Sequence, residues 1–148
     1  MIDMNKIKTI FVLLAMVVCS VACTEEQPVV EYLDVTPNNI AGTWELVEWN
    51  GAALVGDSYF RIQFVRKDSK FTIWQNFDSM GQMPHEVTGE YNIIEDYQGK
   101  YLKGMYDNGE GYWAHDYYVL DLTATSMTMV ALDDETFVQK FIRVNPLP

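Results

Sequence analysis

Ser58-Tyr59-Phe60-Arg61-Ile62-Gln63-Phe64-Val65-Arg66-Lys67-Asp68-Ser69-Lys70-Phe71-Thr72-Ile73-Trp74-Gln75-Asn76-Phe77 decides the fold. Phe60, Ile62 and Phe64 alternate with Tyr59, Arg61 and Gln63. Successive side chains on a strand point to opposite faces, so this stretch is half buried and half wet. Asp68-Ser69 supplies turn chemistry, and Phe71 and Ile73 resume the inward face. The reading is an antiparallel hairpin, with strands over Ser58 to Arg66 and Lys70 to Phe77.

The same pattern extends in both directions. Upstream, Gly42 to Trp49 is a strand that ends at Asn50-Gly51, a tight-turn pair. Downstream, strands are predicted over His85 to Ile94, Lys100 to Tyr106, Gly111 to Leu122, Ser126 to Leu132 and Thr136 to Val144. Val87, Gly89, Tyr91 and Ile93 share one face of the first of these, and Met127 and Met129 one face of the seventh strand. No segment carries a long helical period. Eight antiparallel strands in meander order lose their exposed edges by closing into an up-and-down barrel. The fold predicted for residues 39–148 is therefore an all-β, eight-stranded barrel, with a flattened sandwich as the alternative. Phe60, Ile62, Phe64, Phe71, Tyr91, Met127 and Met129 are its candidate interior and ligand-binding residues. An eight-stranded barrel is just wide enough to be filled by side chains or to hold one small ligand.

The N-terminus reads as an address. Lys6 and Lys8 precede an apolar run from Ile10 to Val18, too short to span a bilayer and of the length of a signal-peptide core. Met4 is an alternative start to Met1. Ser20-Val21-Ala22-Cys23 resembles the lipobox of bacterial lipoproteins, which implies cleavage after residue 22 and acylation of Cys23, palmitate among the attached chains. Release of a soluble protein by an ordinary signal peptidase is the other reading. Residues 23–38 then form the lipidated cysteine and a flexible tether, in which Val29, Val30, Tyr32 and Val35 suit a short extended piece against the domain. With Cys19 in the signal and Cys23 acylated, the mature domain has no disulfide to form. The expected location is the cell envelope, anchored to the outer membrane and facing the periplasm or the exterior. Membrane contact is expected through the lipid alone.

Ala41-Gly42-Thr43-Trp44 on the first strand and Phe141-Ile142-Arg143 on the last resemble the lipocalin pattern of Gly-x-Trp with a closing arginine. Gly89-Glu90-Tyr91 and Asp121-Leu122-Thr123 are similar to small lipocalin-like lipoproteins of the Bacteroidota. The resemblance implies that Trp44 plugs one end of the barrel, that Arg143 packs across it, and that Gly42 belongs to the same closure. It also implies capture of a small hydrophobic or aromatic molecule inside the barrel. Gly42-Thr43-Trp44 resembles the opening of avidin-type barrels as well.

Composition narrows the function. The net charge of −11 opposes nucleic-acid binding, which needs a positive face to displace counterions from phosphates. Aromatic residues are 14% of the chain, enough to line a pocket or to fill one. His115-Asp116 and His85-Glu86 are sequence neighbours on strands, so neither pair converges. No nucleophile motif and no metal-ligand spacing is present, and Asp107-Asn108-Gly109-Glu110 reads as a solvated hairpin tip. Met80 and Met83 are candidates for a barrel entrance. The expectation is a non-enzymatic binding protein without metal or cofactor. The alternative is a filled barrel whose outer face, with Trp74 or Trp113 exposed, meets an envelope protein or glycan.

Overall fold

The computed structural model describes residues 29–77 and 83–145. Cys23 and Met80 lie outside them. The elements are a one-turn helix α1 (Pro37–Ile40) and strands β1 (Gly42–Trp49), β2 (Ala52–Ala53), β3 (Phe60–Val65), β4 (Lys70–Gln75) and β5 (His85–Glu95). β6 (Lys100–Tyr106), β7 (Tyr117–Leu120), β8 (Ser126–Ala131) and β9 (Val138–Val144) follow. All neighbours pair antiparallel in the order β1-β3-β4-β5-β6-β7-β8-β9, and β9 returns to β1. The eight long strands thus close into a meander barrel, the architecture that the alternating pattern predicts. No edge of that ring is left unpaired.

Closure depends on β1. It pairs with β3 on one side and β9 on the other, and its register against β9 shifts between Leu46 and Glu48. Such an irregularity bends and twists a strand, which curves the sheet. Asn50 (φ 49°) and Gly51 (φ 81°) form the tight turn, and β2 is the short return of that hairpin. Outside, ion pairs sit at registered cross-strand positions, as with Lys70–Glu90 at 2.8 Å and Lys140–Glu48 at 2.7 Å. Exposed pairs of this kind add little stability each. Burial of the inward face carries the fold: Trp44, Phe64, Phe71, Tyr91, Leu102, Met127 and Phe141 are all buried.

Two features depart from the sequence reading. The predicted strand Gly111 to Leu122 is regular only over β7, Tyr117–Leu120. Ahead of it the chain folds inward at Trp113, whose N–H donates to the Gly104 carbonyl at 2.9 Å. A Cβ at position 104 would lie 2.0 Å from the indole, so only glycine lets the ring settle on β6. Trp113 is consequently buried, not exposed for a partner. Second, the segment ahead of the barrel docks on it. Leu33 N–H donates to the Leu122 carbonyl at 2.7 Å, and Leu33 and Val35 pack on the core, while Val29 and Tyr32 stay exposed. Thr36 caps α1, and Ile40 is fully buried.

Candidate functional site

The two ends of the barrel are built differently. At one end lie α1 and the turns at 66–69, 96–99 and 121–125; at the other lie 50–59, 107–116 and 132–137. The first end is plugged. Trp44 is completely buried, and its indole N–H donates to the Ile40 carbonyl at 2.8 Å. The Arg143 guanidinium lies 4.1 Å from the centre of that ring, a cation–π contact. Three of its donors go to backbone carbonyls: Ala124 at 2.7 Å, Asn39 at 2.7 Å, and Ala41. Asn39 and Ala41 flank the end of α1 and Ala124 lies in the turn before β8, so one side chain of β9 ties the entry segment to that turn. Burial lowers the guanidinium pKa. Gly42 adopts φ 122°, and a Cβ there would lie 2.5 Å from Arg143 Nη1. Gly42, Trp44 and Arg143 therefore form one closure.

Behind this closure the interior is solid. Phe64 and Tyr91 meet edge to face at 5.0 Å, and Phe71 and Trp113 lie 5.0 Å apart. The Tyr91 hydroxyl is buried without a protein partner, and burial raises its pKa. Of the seven interior candidates, Phe64, Phe71, Tyr91 and Met127 belong to this packed half. They are inward-facing but do not line the large cavity.

The other end is open. A cavity of about 400 Å³ enters the barrel there, within the range of small-molecule pockets. Phe60, Ile62 and Met129 are the sequence candidates that line it. The rest of its wall comes from residues that pattern reasoning did not single out, among them Trp49, Trp113, Tyr117, Phe137 and Gln139. Around the mouth the rings form a continuous collar. Phe60 stacks on Phe77 at 6.2 Å, and Phe77 meets Trp49 at 5.6 Å. Trp49 meets Phe137 at 5.4 Å, and Phe137 lies 4.8 Å from His115, which faces Tyr117 at 6.0 Å. Adjacent aromatic rings at these spacings reinforce one another and offer flat apolar walls.

Polar groups in the cavity are few. His115 Nδ1 bonds Asp133 Oδ1 at 2.7 Å, not its sequence neighbour Asp116, which instead faces Lys103 at 3.5 Å. The ring is held by that contact and by Phe137. Gln75 lies 3.4 Å from His85 Nε2. Burial drives the Tyr117 phenol pKa upward, with Tyr106 and Asp133 adding to it, so this hydroxyl stays neutral and protonated. Among the described residues no Lys, Arg, Asp or Glu lines the cavity. Among the described residues no group of three metal-ligating side chains comes together. Met83 is exposed beside this end of the barrel.

A second hollow of about 330 Å³ lies outside the barrel wall, between residues 35–37 and β5. It is the seam where the docked entry segment crosses the strands. The lip formed by residues 52–58 covers a third, of about 200 Å³, against Trp49 and Phe77.

No family model and no curated protein matches the chain. Among solved structures it is similar to a lipocalin-like protein from Bacteroides uniformis. The two are 16% identical, the match covers 71% of this chain and 97% of that one, and the TM-score is 0.48.

Proposed function

We propose that this protein captures a small, largely apolar molecule in the open half of its barrel, and that an acylated Cys23 holds it at the outer membrane. The observation that carries the binding reading is the cavity of about 400 Å³ within an aromatic collar. A folded protein keeps few voids of this size without a use, because close packing stabilises the interior. The cavity wall is largely aromatic and aliphatic, and the opposite end is sealed.

The anchor reading rests on Ser20-Val21-Ala22-Cys23 and the apolar run before it. The chain joins the barrel at the sealed end, where Leu33 is bonded to Leu122. The alternative, a filled barrel that meets an envelope protein or glycan, has less support, because it presumes a solid interior.

Native mass spectrometry of the protein taken from its own envelope tests the binding reading. A defined non-covalent mass is expected, released as one compound class. Ala114→Trp, at an exposed position of the mouth, is expected to abolish that mass and leave the fold intact. Equal retention by both proteins overturns the reading. For the anchor, incorporation of an alkyne-palmitate label that Cys23→Ala removes is expected; a label that survives the substitution refutes it.

A further inference from the structure

The cavity contains a specific polar feature that its apolar character does not require. Gln139 lies on β9 opposite Trp49 of β1 and Met129 of β8, both of which line the cavity. Alternation along β9 places it on the inward face with Phe141. Its residue surface is 8% exposed, and it lines the cavity. A ligand that fills the cavity strips water from this primary amide and must meet its donor and its acceptor. A buried donor without a partner, the indole N–H of Trp113, belongs to the same wall.

The wall also excludes alternatives. Among the described lining residues there is no Lys or Arg, and His115 is already bonded to Asp133, so a carboxylate or phosphate finds no free counter-charge there. An ammonium ligand finds aromatic faces but offers no acceptor to the Gln139 N–H. A neutral ligand remains. Its body must be flat enough to lie among Trp49, Phe60, Phe137 and Tyr117. Its polar edge must present an acceptor to the Gln139 amide N–H and a donor to the Gln139 carbonyl.

Resting on the binding function proposed above, we infer that Gln139 reads an adjacent N–H and C=O on a neutral planar ring, a lactam or cyclic-imide edge, held within the aromatic collar. The N–H of the ligand donates to Gln139 Oε1, and its carbonyl accepts from Gln139 Nε2. Specificity of this kind is sharp, because an analogue lacking the edge leaves the buried amide unpaired.

Three probes of similar size separate the terms: quinolin-2(1H)-one carries the lactam edge, naphthalene lacks it, and 2-naphthoate replaces it with a charge. Titration of each into the intact protein, followed by calorimetry and by quenching of tryptophan fluorescence, is the test. Quinolin-2(1H)-one is expected to bind at least about tenfold more tightly than either of the others, the worth of one net hydrogen-bonded contact. Gln139→Met keeps the length of the side chain and removes the amide. It is expected to erase that preference and leave naphthalene affinity unchanged or higher. Should the variant not fold, the preference of the unaltered protein, with shifts of the Gln139 amide protons on adding quinolin-2(1H)-one, decides the matter alone. Equal affinity for quinolin-2(1H)-one and naphthalene overturns the role of Gln139 while leaving the binding cavity standing. Tightest binding of 2-naphthoate overturns the neutral class. Failure of all three probes to bind overturns the inference, while the native mass measurement above decides the binding function independently.

Discussion

The sealed and open ends of this barrel are made from the same strands and from the same kinds of residue, yet they spend them in opposite ways. At the sealed end Trp44 is wholly buried, its N–H is satisfied by Ile40, and Arg143 bonds carbonyls of both the entry segment and the turn before β8. At the open end equally large rings meet one another around a cavity of about 400 Å³, whose wall includes Gln139. A packed interior maximises stability, whereas a binding site keeps unmet contacts for its ligand. The difference locates stability at one end and recognition at the other. It implies that substitutions at the two ends act on different measurements.

The largest expected effect is at the sealed end. Trp44→Ala removes the plug, opens a cavity beneath Arg143 and strands the Ile40 carbonyl. A loss of about 3–5 kcal/mol is expected in urea unfolding. Trp49→Ala, at the open end, takes away a ring that already borders a void, so its cost is expected to be less than half as large. Equal losses at the two positions would end the proposed division of labour.

Arg143→Ala comes next. It removes the cation over Trp44 and leaves three carbonyls to find water, for an expected loss of about 2–3 kcal/mol. Arg143→Lys restores the charge but not the fork that reaches Ala124, Asn39 and Ala41 together, so it is expected to recover less than half of the loss. Full recovery by lysine would mean that charge alone closes the barrel.

Smaller, and opposite in sign, is the effect of Gln139→Met on the empty barrel. Replacing an amide on the inward face by an apolar chain of equal length is expected to stabilise the protein by up to about 1 kcal/mol. A clear destabilisation, read in the same urea experiment, would show that the amide is part of the packing instead of being reserved for a ligand.

These contrasts explain what was legible in the sequence. The closure residues Gly42, Trp44 and Arg143 were visible through the resemblance, and the strands through alternation and turn pairs such as Asn50-Gly51. Each of those signals is local. Alternation also identified the inward face, and all seven interior candidates do point inward. It cannot say how far along a strand the packed plug stops. Phe64 and Phe60 share a face of β3, four residues apart, yet only Phe60 reaches the cavity. That boundary is set by residues meeting across the barrel, as when Trp113 settles on Gly104 of the neighbouring strand. The inward turn at Trp113 was missed for the same reason: aromatic residues on either side of it continue the look of a strand. Gln139 could have been found. A glutamine in phase with Phe141 is a polar residue on an apolar face, and that conflict between pattern and chemistry is a signal of function.

The finest test uses two neighbouring residues of β7. Tyr117 faces the cavity and Tyr118 faces outward, and the pKa of each is raised for a different reason. For Tyr117 burial dominates. For Tyr118 the first cause is its hydrogen bond to Asp96, at 2.7 Å, which pushes it up to about 12 from an ordinary 10.0. The same bond, with backbone N–H groups of Gln98 and Gly99, holds the Asp96 carboxyl below its ordinary 3.8. The signs follow. A phenol raised on folding contributes fully below pH 10 and loses that contribution as pH climbs towards 12. The lowered carboxyl contributes above its ordinary value and loses it as pH falls through the folded one. Asp96→Asn removes the charged acceptor, so Tyr118 is expected to titrate closer to 10 in an ultraviolet titration while Tyr117 does not move. Filling the cavity with ligand is expected to do the reverse, driving Tyr117 further up by added desolvation and leaving Tyr118 near 12. If both tyrosines respond to both changes, the inner and outer faces of this wall are coupled, and the open end is not the independent recognition site that its geometry describes.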